Sequence, residues 1–292
     1  MKLVTQTDVV ATRFSDEIAV RKICEADFDG IDYSLFAMKH DDNILNSSAY
    51  LTHVRNLRKI ADGYGKTFEQ SHAPFPSYRV NNVDNYNEKT FDRIKRSLEI
   101  SAELGVKICV VHPSAIGEGQ FEFNIDFYNK LAPFAKEYGV KIALENMWGS
   151  ATVDGKRKIV PNICSVAEDF NRYVDALDPE IFTACLDLGH CGLVGDDAAN
   201  MLREMGNKRV TALHIHDNDF EHDSHTIPYL CDMDWDSILR ALGEIDYKGN
   251  FTYEADRFLD EFPLELISTV YDFMAKIGRY MISGIEKYRV KE

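Results

Sequence analysis

No window of this 292-residue chain approaches the ~18 uncharged apolar residues of a membrane span, and the opening "MKLVTQTDVV" lacks the unbroken apolar stretch of a signal peptide. The expectation is a cytoplasmic protein with no membrane partner. The six cysteines, Cys24, Cys109, Cys164, Cys185, Cys191 and Cys231, form no CxxC, and buried reduced thiols are expected. Positive charge is also scarce: the net charge is −15 and the isoelectric point about 5.0. That balance argues against a general binder of nucleic-acid backbones or anionic membranes. There is no Pro/Ser-rich linker, no low-complexity tract and no Gly-rich phosphate loop after an early strand. The last absence counts against an open dinucleotide-binding sheet.

What is present is a repeating unit in a chain that is 45% hydrophobic, enough for a large core. "ELGVKICVVHP" (103–113) and "EYGVKIALEN" (137–146) each run from a helix end through Gly into an apolar strand with a polar group at its far end, and "GYGKTFEQSHAP" (63–74) is a looser copy. Gly105 and Gly139 suit the left-handed residue just past a helix C-terminus. Helical periodicity precedes each strand, with Leu51, Val54, Leu57, Ile60 and Ala61 on one face, and Phe91, Ile94, Leu98 and Ala102 on another. A third helix carries Pro133, which argues against a straight course. Strands are expected near 3–13, 30–36, 66–73, 106–112, 141–146, 181–188, 210–216 and 249–255. Eight such βα units predict a single (β/α)8 TIM barrel of class α/β spanning 1–292.

In this fold chemistry sits at the C-terminal ends of the strands. Those ends carry "QSHAPF" with His72, "VVHPS" with His112, "ALEN" with Glu145, "CLDLGHCG" with Asp187 and His190, "HIHDND" with His216, and "TYEAD" with Glu254; the loop after strand 7 adds Asp223 and His225. Six of the nine histidines lie at or beside these ends. Each alone could be a structural hydrogen-bonder or a helix cap. Converging on one axis they cannot stay buried and unpaired, and a divalent metal ion resolves the conflict. Carboxylates with imidazole and no thiolate suit Mn, Mg, Co or Zn. His216 belongs at the rim and within reach of the metal; His214, two residues earlier on the same face and one layer deeper, is expected to be packed or to support the ligands.

The motifs "LEN", "LDLGH", "HIHDND", the Asp223–His225 pair before "IPYLCDMDW", and "YEAD" resemble the xylose-isomerase-like superfamily of TIM barrels, especially its sugar isomerase/epimerase branch. The resemblance covers nearly the whole chain. It implies one divalent metal held by Glu145, Asp187, His216 and Glu254, with Glu145 and Glu254 also acting as acid and base through a metal-stabilised enediolate. It also implies that His190 contacts substrate, a small sugar or polyol. The related AP endonucleases of family 2 hold three zinc ions, and their pattern matches His72, His112, Glu145, Asp187, His190, His216, Asp223, His225 and Glu254 here. His72, His112, His190, Asp223 and His225 are therefore substrate-binding or additional metal residues. Net charge, and the lack of basic, aromatic-bearing loops, count against a nuclease and against a nucleic-acid partner. The alternatives are a zinc phosphodiesterase, a keto-inositol dehydratase of the same superfamily, or a catalytically dead barrel used for binding or assembly. A homo-oligomer is compatible with all of them. One departure concerns substrate choice: some keto-sugar epimerases place Arg six residues after the strand-7 ligand, where this chain has His222. Trp148 and Phe75 are candidates for an apolar wall against a sugar face. Arg79 and "GKRK" (155–158) are the nearest phosphate-binding candidates, "GKRK" otherwise reading as a solvated loop.

Overall fold

The computed structural model describes residues 1–289. Ten strands run in chain order as β1 (Leu3–Gln6), β2 (Gly30–Ser34), β3 (Thr67–His72), β4 (Ile108–Val110), β5 (Lys141–Glu145), β6 (Trp148–Val153), β7 (Lys156–Pro161), β8 (Phe182–Asp187), β9 (Val210–His214) and β10 (Phe251–Tyr253). Eight of them form one parallel sheet in the order β10-β1-β2-β3-β4-β5-β8-β9. The Ile215–Tyr253 bridge joins its two edges, with Ile215 N–H donating to the Thr252 carbonyl at 3.0 Å and Glu254 N–H to the Ile215 carbonyl at 3.1 Å. The expected TIM barrel is therefore what the chain forms. Helices Asp16–Glu25, Tyr50–Gly63, Tyr86–Leu104, Gln120–Tyr138, Ala167–Asp175, Ala198–Met205, Trp235–Glu244 and Leu264–Tyr288 follow the barrel strands in turn. Among the described residues no helix is long and apolar enough to cross a membrane, and all six cysteines are free.

Alternation along each strand divides the core in two. Cys109, Ile142, Ala184 and Leu213 face the helices and join the large outer core. Their neighbours Val110, Ala143, Cys185 and Ala212 form a separate small cluster on the barrel axis. Gly105 and Gly139 take φ of 84° and 63° just past their helices, as expected from a missing Cβ.

Two local expectations need correction, at the end of the first strand and at "GKRK". The first strand ends at Gln6, and Asp8–Arg13 is a short helix. Val9 and Val10 look strand-like in sequence, but Asp8 favours a helix N-terminus and both valines are buried from it. The helix containing Pro133 runs unbroken from Gln120 to Tyr138. The "GKRK" stretch is no loop: it forms the turn and second strand of an antiparallel hairpin of β6 and β7. Asp154 and Gly155 turn it at φ 53° and 73°, the left-handed pair that a two-residue hairpin turn needs.

Candidate metal and substrate site

The axial positions decide the site. Two residues above the small cluster, the same strand faces carry His112, Glu145, Asp187 and His214 in place of Val110, Ala143, Cys185 and Ala212. Glu145, Asp187, His72, His214 and His216 are 0% exposed and Glu254 is 5% exposed. All nine residues expected from the sequence gather around this one end of the barrel axis.

Their donor atoms form neighbouring sets, each within 4.8 Å: His72, His112 and Glu145; Glu145, Asp187, His214 and Glu254; and His190, His216, Asp223 and His225. Glu145, Asp187 and Glu254 meet as expected, and the imidazole within reach of all three is that of His214. His214 Nδ1 lies 2.7 Å from Glu145 Oε1 and 3.0 Å from Glu254 Oε2, so from a fully buried position it bridges the two carboxylates. His216 sits beside Asp187, Nε2 to Oδ1 at 3.1 Å, and belongs to the outer set. Parity placed both histidines on one face; it carries no information on which carboxylate each would meet.

Hydrogen bonds fix the orientation of three rings. His72 Nδ1 faces the Ala73 carbonyl at 2.9 Å, His190 Nδ1 the Asn146 carbonyl at 2.8 Å, and His225 Nδ1 the Glu254 carbonyl at 2.8 Å. A carbonyl only accepts, so each Nδ1 carries the proton, and a neutral ring then turns its Nε2 lone pair inward. His72 Nε2 lies 3.2 Å from Glu145 Oε2, and His225 Nε2 lies 3.2 Å from Asp223 Oδ1. Two acceptors at such distances require a cation between or beside them, either a proton or a metal ion. Imidazoles locked through the remote nitrogen are the usual arrangement of metal-binding histidines. Asp187 Oδ2 and His216 Nδ1 are buried without hydrogen-bond partners. The donor set fits a divalent ion.

Electrostatics point the same way. Burial pushes the Glu145 and Glu254 carboxyls up, but the positive field of His214, joined at Glu145 by His112, holds both well below the usual range. Burial likewise raises Asp223, and its hydrogen bond and attraction to His225, with His190 and His216 nearby, pull it below its ordinary value. Gln6 Nε2 donates to Glu254 Oε1 at 2.9 Å.

Several residues support the site without joining it, and they show which sequence signals went unread. Asn146 of "LEN" accepts from Asp187 N–H at 2.7 Å and donates to its carbonyl at 2.9 Å, tying the end of β5 to β8. Gly189 of "LDLGH" leaves room for the His216 ring: an added Cβ would lie 2.0 Å from Cε1. Asp217 answers why "HIHDND" is so polar. It accepts from the N–H groups of Asn218, Cys231 and Met233 and from the Trp235 indole, at 2.9 to 3.3 Å, clasping the loop that carries Asp223 and His225.

A cavity of about 820 Å³ opens above the donors, with Phe75, His112, Trp148, His190 and Glu254 in its wall. Phe75 packs on His112 at 4.7 Å between ring centroids, and the Trp148 indole donates to Asp223 Oδ2 at 3.2 Å. Arg79 stacks at 4.0 Å on Tyr86 and does not line this cavity.

Comparison with known proteins matches residues 20–276 to the family described as "Xylose isomerase-like TIM barrel". An uncharacterized protein, MJ1311, of Methanocaldococcus jannaschii is 25% identical over 254 residues, 83% of this chain and 80% of the relative. A probable endonuclease 4 of Mesoplasma florum is 27% identical, covering 60% of this chain and 62% of the relative. An inosose dehydratase of Clostridium perfringens is 23% identical over 49% of each. Among solved structures, the 3-keto-D-glucoside 4-epimerase YcjR of E. coli superposes with a TM-score of 0.70, at 18% identity, over 96% of this chain and 99% of its own. The IolI protein with a bound zinc atom gives 0.71, at 19% identity, over 100% of both chains.

Proposed function

The chain belongs to the xylose isomerase-like TIM barrel family, and on that footing we propose that it is a divalent-metal-dependent isomerase or epimerase of a small sugar or polyol. The observation that carries this reading is the pair of buried carboxylates, Glu145 and Glu254, meeting across His214 beneath an open cavity. Glu145, Asp187 and Glu254 would hold the ion, with His214 or His216 as the imidazole partner. When bound, a divalent ion polarises a carbonyl and its neighbouring hydroxyl, which eases proton removal from the adjoining carbon. One glutamate takes that proton as a base, and the other, or the same one, returns a proton. Their attachment to β5 and to the end of β10 brings them in from different directions, as inversion at carbon requires. His190 and the Phe75–Trp148 wall orient the sugar.

Turnover of a sugar panel in heavy water tests this. The expected result is deuterium at the carbon beside the carbonyl, lost when a chelator removes the metal and restored by Mn, Co, Zn or Mg. Turnover with no deuterium entering product would demote both glutamates to ligands and favour a hydride shift.

A second reading, phosphodiester hydrolysis, is favoured by one specific observation: the outer sets His72–His112–Glu145 and His190–His216–Asp223–His225 are as compact as the central one. Three zinc ions per chain together with incision at abasic sites would put it first.

A further inference from the structure

Beside the reaction cavity lies a second one of about 910 Å³, between the β6–β7 hairpin and the loop after β9. The two cavities share Trp148, Asp223 and Arg257, so they are adjoining chambers of one opening. Their balance of charge differs. The inner chamber holds the buried acids and histidines, with Arg13 and Lys39 also in its wall. The outer one is edged by Lys156, Arg157 and Lys158 of the hairpin and by Arg257, three residues past Glu254.

In a chain of net charge −15, three consecutive cations and a fourth gather at one opening. Among the described residues Lys156, Arg157, Lys158 and Arg257 are in no ion pair, which leaves their charge open to a ligand. The nearest acids do not neutralise the edge. Asp223 is occupied by the Trp148 indole and by His225, which leaves Glu221 alone. Arg157 is laid over the Trp148 ring, 5.6 Å from its centroid, so its guanidinium stands at the junction of the chambers.

We propose that the hairpin and Arg257 form an anion-binding arm of the reaction site, which holds a phosphate group carried by the small sugar or polyol substrate. Multiple free donors with full positive charge suit a phosphoryl group, which accepts several charge-assisted hydrogen bonds. The chamber's size suits a small molecule. The acidity of the rest of the surface opposes a long polyanion, which would have to cross it. The inference rests on the isomerase reading only for the identity of the group in the inner chamber.

The test uses ligands without a carbonyl, which cannot react. Ribitol, glucitol and their monophosphates are titrated calorimetrically into the full-length protein. The phosphorylated member of a pair is expected to bind at least about ten-fold more tightly, with a preference that shrinks as salt is raised. The charge-reversed triple variant Lys156→Glu, Arg157→Glu, Lys158→Glu should bring that preference to about one. Arg257→Gln, which leaves the hairpin intact, should independently lower it several-fold. Equal binding within each wild-type pair overturns the proposal, as does a preference that survives both variants. Tighter binding of a single-stranded oligonucleotide, lost in the triple variant, overturns it in favour of a nucleic-acid site. Failure here is separable from failure of the isomerase reading: phosphate preference without deuterium exchange leaves the arm standing, and exchange without phosphate preference removes the arm alone.

Discussion

The lower and upper layers of the barrel axis are built by the same four strands, one alternation apart, and differ completely in chemistry. Val110, Ala143, Cys185 and Ala212 plug the lower layer with small apolar groups. His112, Glu145, Asp187 and His214, two positions on, fill the upper layer with acids and imidazoles. Backbone parity treats the two layers alike, so the difference lies in what each must do. The lower layer closes the barrel against water, which keeps the upper charges in a medium where each acts strongly on its neighbours.

The largest effect should come from the upper layer. Glu254→Gln or Glu145→Gln keeps side-chain shape but removes a base, and turnover should fall ~10²–10⁴-fold while the circular dichroism spectrum is retained. Near wild-type rates in both variants would leave the upper layer without its assigned chemistry. Carrying the upper chemistry down should instead break the fold. Ala143→Asp places an unpaired carboxyl in the apolar plug, and denaturant unfolding should show a loss of at least ~3 kcal/mol. An unchanged midpoint would mean that the lower layer is wet.

A smaller change tests the close fit within the upper layer. Gly189→Ala drives a methyl group into the His216 ring. The protein should stay folded while, if His216 is the imidazole partner of the ion, metal affinity weakens ~10–100-fold, read by titration with a metallochromic dye; unchanged affinity would leave that role to His214. The smallest effect belongs to a histidine–carboxylate pair outside the barrel, which calibrates the buried ones. His53 Nε2 lies 2.7 Å from Asp16 Oδ2, and that hydrogen bond raises the His53 pKa above its ordinary 6.5 despite partial burial. Its stabilisation is therefore complete below pH ~6.5 and is lost as pH rises through the elevated value. His53→Gln should lower stability by ~0.5–1 kcal/mol at pH 6 and by nearly nothing at pH 9, seen as converging melting temperatures.

Much of this arrangement was legible in the sequence because the barrel repeats its own punctuation. Gly after a helix, an apolar run, then a polar residue recurred in three units and marked the strand ends, and nine candidate site residues follow from that reading. What could not be read is depth along the axis. His214 and His216 share a face in any strand, and only the closed barrel decides that His214 meets Glu145 and Glu254. The hairpin was a different kind of omission. Asp154-Gly155 between "WGSATV" and "KRKIVP" is a turn signal for a two-residue hairpin, masked by the basic run that made the segment look like solvated loop. The short helix Asp8–Arg13 was hidden by adjacent valines, whose side chains suit strand or buried helix equally.

Asp217 contributes no atom to any of the donor sets, yet it fixes the loop that carries two of their members. Its carboxylate closes the loop after β9 through four protein donors, none of which depends on a ligand. Asp223 and His225 are thus held in place by the protein alone, so a ligand meeting them would find their conformation already set and would cost little ordering entropy. Any affinity of this corner of the site would then be tunable from Asp217 at a distance, without altering a residue that touches the ligand.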